Sequence, residues 1–96
     1  MPTHFEVERF MRDWNALTPN QRARFHRVLV GFREDVGSGT FRRSLRVKGV
    51  QGRPGVFEMS WARNGRAHWM YGPEVHPGLP HIIWLRIGTH EIFDRP

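Results

Sequence analysis

Two helical stripes open the chain. Val7, Phe10, Met11, Trp14 and Leu17 recur at the three- and four-residue intervals that put apolar side chains on one face of a helix. Thr18-Pro19-Asn20-Gln21 then has the parts of a helix start: Thr18 to cap, Pro19 for the first turn and Gln21 to close a capping box. A second stripe runs through Phe25, Val28, Leu29, Phe32 and Val36 and is stopped by Gly37-Ser38-Gly39. Arg22, Arg24, Arg27 and Arg33 fall between these positions and read as a solvated face. So short a connection predicts an antiparallel helix hairpin.

The pattern then changes to alternation. Phe57, Met59 and Trp61 fall on one side of a predicted strand, Glu58 and Ser60 on the other. Ala62-Arg63-Asn64-Gly65 contains the Asn-Gly pair that favours a tight hairpin turn, and residues 66–71 alternate again. A Pro/Gly loop over 72–80 leads into a last strand over 81–89. The glycines at 49, 52 and 55 read as turn punctuation, without the strand-then-helix context of a phosphate loop. A three-stranded antiparallel meander with one face on the helix hairpin gives an α+β fold of two layers. The expectation is a single domain over residues 1–96, without an internal repeat.

Composition narrows the class. Of 96 residues, 39% are apolar and four are Trp, too many large apolar side chains for a disordered basic tail. No apolar run approaches the ~20 residues of a membrane span, and Glu6 and Glu8 interrupt the start of the chain, so no secretory leader or membrane contact is expected. The chain has no cysteine, which excludes disulfides and thiolate metal sites. His76 and His81 lack a nearby carboxylate pair, so no metal or cofactor is expected. A cytoplasmic location follows from the same features.

The net charge of +6 is concentrated. Residues 37–72 carry six Arg and Lys48 against Glu58 alone, whereas the flanking thirds nearly balance. A GC-rich genome accounts for Arg over Lys but not for the clustering, which points to a phosphate backbone or an acidic partner.

The pleat locates that charge. If Phe57, Met59, Trp69, Tyr71, Ile83, Leu85 and Ile87 face the helices, the opposite face presents Glu58, Arg66, His68, Trp84 and Arg86, with His90 in register just beyond. Lys48 and Arg53 lie on the Gly-rich approach to the first strand. Arg and Lys neutralise phosphates, and Trp and His rings stack on bases. The same set also suits RNA cleavage, because RNA brings its own 2′-OH nucleophile and needs only a base, an acid and cations on the phosphorane. An Arg/His face is equally what the solvated side of a small sheet looks like.

Three segments carry a resemblance. The stretch from Leu45 to Gly55-Val56-Phe57-Glu58-Met59, then Gly65-Arg66-Ala67-His68-Trp69, and finally Ile83-Trp84-Leu85-Arg86-Ile87-Gly88-Thr89-His90-Glu91-Ile92-Phe93, resemble in order and spacing the RelE/ParE superfamily of bacterial type II toxins, especially its YafQ-like branch. The resemblance spans residues 5–93 and implies a cytoplasmic toxin neutralised by a co-encoded antitoxin. Its ribonuclease branch cuts messenger RNA on the ribosome without metal. There the position of His90 serves as general acid or base and that of Arg66 stabilises the scissile phosphate. Phe93 would orient the substrate, and Lys48 and Arg53 would contact phosphate, joined by Arg86 and His68 on the same face.

Some features depart from the family pattern. Residues 1–6 offer at most a short strand where relatives open with one, and the loop over 72–80 is longer. Phe93 stands one residue closer to His90 and cannot donate a proton as the Tyr of many relatives can. Acid–base work then falls to His90, with His68 or Glu58 as the second group. Two other functions fit the same resemblance: a ParE-like gyrase inhibitor without nuclease activity, and a homologue that only binds RNA or its antitoxin.

Overall fold

The computed structural model describes residues 2–90. The elements in chain order are β1 (Thr3–Glu6), α1 (Glu8–Ala16), α2 (Pro19–Ser38), a 3-10 turn (Arg43–Leu45), β2 (Lys48–Gly49), β3 (Val56–Ser60), β4 (Gly65–Gly72) and β5 (His81–Thr89). The strands form one sheet in the order β1-β5-β4-β3-β2, and the two helices pack on one side of it. The fold is therefore the α+β two-layer sandwich that the sequence predicts, with two strands added to the meander. β1 joins β5 in parallel, Thr3 opposite His81 and Glu6 opposite Trp84, while β2 extends the other edge through Lys48 and Gly49. Both are too short to show an alternating pattern. Among the described residues no helix is long and apolar enough to cross a membrane.

The helix signals act as the local chemistry dictates. Thr18 Oγ1 accepts from the Gln21 N–H at 3.2 Å and Gln21 Oε1 from the Thr18 N–H at 2.8 Å, closing the capping box. α2 ends where Gly39 takes a left-handed conformation, φ 80°. Arg22 closes the other helix end, donating to the carbonyls of Trp14 and Asn15 at the C-terminus of α1.

Aromatic rings stand at the centre of the core. Trp84 lies with its ring centroid 5.1 Å from Phe32, 5.5 Å from Phe25 and 5.9 Å from Phe10. Trp69 stacks on Phe57 at 4.9 Å and meets Phe32 edge-on at 5.1 Å. Offset and edge-on rings of this kind gain about 0.5–1.5 kcal/mol per pair beyond the area they bury.

Trp84 corrects the sequence reading, which put it on the open face. The β4–β5 register slips between His68 and Trp69: His68 pairs with Arg86 but Trp69 with Trp84, leaving Leu85 as an extra residue. The bulge reverses the alternation of β5, so Ile82 and Trp84 join Ile87 in the core. Ile83, predicted to face the helices, instead shares a row with Met70 and Val56 on the other side.

The hairpin between β3 and β4 also differs in detail. The turn closes from the Gly65 N–H to the Ala62 carbonyl at 3.1 Å, which makes Arg63 and Asn64 its central residues. Gly65 is required for space rather than for a positive φ, since a Cβ there would lie 2.6 Å from the Trp61 ring.

Candidate functional site: the open face of the sheet

The rows of side chains across the uncovered face follow from the register. One row runs Lys48, Glu58, His68, Arg86, and the next Ser60, Arg66, Gly88. In the first, Lys48 Nζ lies 3.5 Å from Glu58 Oε2, and His68 Nε2 lies 3.0 Å from Glu58 Oε1. An ionised carboxylate only accepts, so His68 carries its proton on Nε2 and donates it to Glu58. The His68 side chain is 7% exposed and that of Lys48 71%. Burial pushes the His68 pKa below the ordinary imidazole value. The hydrogen bond and charge of Glu58 pull it up, and the charges of Arg53 and Arg86 push it down.

Arg53 reaches this neighbourhood through its loop. The turn from Val50 to Val56 is closed by hydrogen bonds on either side of Arg53, with Gly52 and Gly55 at φ 78° and 81°. The punctuating glycines thus carry a cation back toward His68.

Arg86 is engaged on its other side. Asp13 in α1 accepts from Arg86 Nε at 2.7 Å and from the Ile87 N–H at 3.1 Å, both on Oδ2. β1 ends opposite Trp84, so beyond it the edge of β5 is exposed, and Asp13 satisfies it. The Arg86 and Asp13 side chains are each 15% exposed. Sequence reading missed Asp13, although an acid three residues after Phe10 and beside Trp14 flanks the apolar stripe.

Arg66 and His90 meet at the β3–β4 turn. Arg66 Nη1 donates to the carbonyls of Ala62, Arg63 and Gly65 at 2.9–3.2 Å. The His90 N–H donates to the Asn64 carbonyl at 2.6 Å, which ties the end of β5 to the same turn. Of the predicted site residues, Lys48, Arg53, Glu58, His68 and Arg86 are grouped around His68, and Arg66 and His90 share one anchor. The His68 side chain is largely buried, so little of its ring is open to solvent on this face. Phe93 lies outside the described residues. No group of three His, Asp or Glu side chains with metal-binding geometry exists among the described residues.

The same architecture occurs in known structures. No protein-family model matches the chain, and no curated protein matches it in sequence. Solved structures do. The RelB–RelE antitoxin–toxin complex from Methanococcus jannaschii matches with a TM-score of 0.61 at 18% identity, over 96% of this chain and 99% of that one. The DinJ–YafQ toxin–antitoxin complex of E. coli matches at 0.69 and 10% identity, over 95% and 94%. The YoeB/ParE toxin from Agrobacterium tumefaciens matches at 0.65 and 9% identity, over 92% and 98%. At these identities the likeness is one of architecture, and the fold of this chain is that of the RelE-like type II toxins.

Proposed function

We propose that the chain is the toxin of a type II toxin–antitoxin pair and that its open face cleaves messenger RNA by 2′-OH attack. The observation that carries this reading is the compensated row Lys48–Glu58–His68 beside Arg66 and His90, which share a turn. A merely solvated face has no need to bury a histidine against a carboxylate, a burial that costs free energy unless paired.

In the proposed reaction the 2′-oxygen forms a bond to phosphorus and the bond from phosphorus to the 5′-oxygen breaks, leaving a cyclic phosphate and a 5′-hydroxyl. Glu58, held between Lys48 and His68, accepts the 2′-OH proton. His90 donates a proton to the departing 5′-oxygen. Arg66 turns its guanidinium from the turn carbonyls to the phosphorane oxygens, and Lys48 and Arg53 hold flanking phosphates. Arg86 keeps β5 on Asp13 and contributes charge rather than contact. The protein supplies all of these groups, so the reading calls for no metal or cofactor.

The partners follow from the same reading. RelB–RelE and DinJ–YafQ are toxin–antitoxin complexes, and this chain takes a co-encoded antitoxin whose acidic segment complements the basic middle third. Its substrate is messenger RNA on the ribosome, in the cytoplasm. Primer extension on mRNA from cells expressing the wild type, His90→Ala or Arg66→Ala tests the reading. Discrete new 5′ ends with the wild type alone are expected. Intact messages with induced DNA damage would favour gyrase inhibition instead, and a phenotype unchanged in His90→Ala would favour binding alone.

A further inference from the structure

The open face has two unlike ends. Beyond the His68 row toward β1, the next row is Phe5, Ile83, Met70 and Val56, all apolar, with Phe5 58% exposed. In the other direction come Ser60 and Arg66, and then the edge of β3 past the end of β2. There the surface drops into a recess of about 410 Å³ rimmed by Arg24 of α2, Arg46 and Arg63, with Ser44 and Ser60 between them.

The three arginines are exposed, and none has an acidic partner among the described residues. Arg24 is oriented by donating its Nε–H to the Trp61 carbonyl at 3.2 Å. Arg46 is the single non-glycine with a positive φ among the described residues, 49°, a left-handed conformation imposed where the chain leaves the 3-10 turn. Arg63 sits on the turn whose carbonyls hold Arg66 and His90.

We propose that this recess is a backbone subsite for single-stranded RNA. Arg24, Arg46 and Arg63 take the phosphates of the strand as it leaves the open face over the edge of β3. The inference rests on the RNA reading above. An extended polyanion crossing the His68 row finds apolar side chains one way and Arg66 followed by the recess arginines the other, which favours the second path. Guanidinium forks match phosphate oxygens, and the serine hydroxyls are further donors to them. An acidic peptide is the competing occupant. The floor of Val28, Leu45, Trp61 and Ala62 is apolar, and what favours the nucleic acid is the succession of the rim arginines after Lys48 and Arg66 on the open face.

The test uses a short, labelled, single-stranded 2′-O-methyl RNA, which cannot be cleaved, and reads binding by anisotropy between about 50 and 200 mM salt. The triple variant Arg24→Ala/Arg46→Ala/Arg63→Ala should bind at least about tenfold more weakly and reduce the log–log salt slope by about 2, the loss of three single-strand phosphate contacts. Arg9→Ala/Arg12→Ala/Arg27→Ala removes the same charge from exposed helix positions and should leave the slope nearly unchanged. The triple Lys variant at the recess guards against a folding defect and should keep most of the slope. Equal losses in the two Ala triples would overturn the subsite. So would an effect confined to a duplex RNA, or a recess triple that loses a polyglutamate peptide while holding RNA normally. A wild type that binds the RNA without salt dependence would instead overturn the functional reading itself.

Discussion

His68 and Trp69 are consecutive in β4 and equally hidden, 6% and 0% exposed, yet they are held by opposite means. Trp69 faces the helices among Phe32, Phe41, Phe57 and Tyr71, and its Nε1 has no hydrogen-bond acceptor among the described residues. His68 faces the open side, where Glu58 accepts its proton and two arginines act on its charge. One side of the sheet is stabilised by buried apolar area. The other carries paired charges, with Glu58 between Lys48 and His68 and Arg86 on Asp13. Changes on the covered face should therefore cost stability alone. Changes on the open face should alter titration and chemistry at smaller cost in stability.

The largest effect expected tests the covered face. Phe32→Ala removes the ring between Trp69 and Trp84 and should destabilise by about 3–5 kcal/mol in a denaturant titration. A loss below about 1 kcal/mol would mean that the rings are not the core.

Asp13→Ala comes next, because Asp13 joins the two regions. It strips the acceptor from a largely buried Arg86 and from the Ile87 N–H, for an expected loss of about 2–3 kcal/mol. Asp13→Asn, which keeps an acceptor, should lose less. Equal losses from both would show that the charge of Asp13 is what matters.

The open face is sharpened by titration. His68 has its pKa lowered in the folded state, so the unfolded chain binds the proton more readily. Stability is then whole above the ordinary imidazole value of 6.5 and declines as pH falls through the lowered folded value. Thermal midpoints should drop from neutral pH toward the acid side, and His68→Gln should flatten that drop. Asp35, whose carboxyl is held low by hydrogen bonds from Arg42, acts only below 3.8, so the two windows separate. Glu58→Gln removes the carboxylate charge that helps raise the His68 pKa, and an NMR titration should find it lower still. An upward move would contradict the row. Smallest is Lys48→Ala, which should change stability by at most about 0.5 kcal/mol because its ion pair is largely solvated.

Much of the covered face was legible because its signals are local. The capping box needs only Thr18 and Gln21, and the stripe through Phe25, Leu29 and Phe32 is one period repeated. What failed was non-local. The bulge at Leu85 depends on pairing with β4 and turned Trp84 inward against a simple alternation. The Asp13–Arg86 pair spans 73 residues, and nothing beside either residue announces the other. β1 and β2 form because β5 and β3 offer them edges, not because four or two residues have a pattern. On the open face the alternation placed Glu58, Arg66 and His68 on one side, but burial set the state of His68 and no spacing encodes burial.

In the proposed function the open face works on RNA through the substrate's own 2′-hydroxyl. This is tested most directly by an RNA carrying a single 2′-deoxy substitution at the cleavage position, with purified protein and ribosomes. Cutting at that position should disappear while neighbouring sites are still cut. Undiminished cleavage at the deoxy position would contradict it.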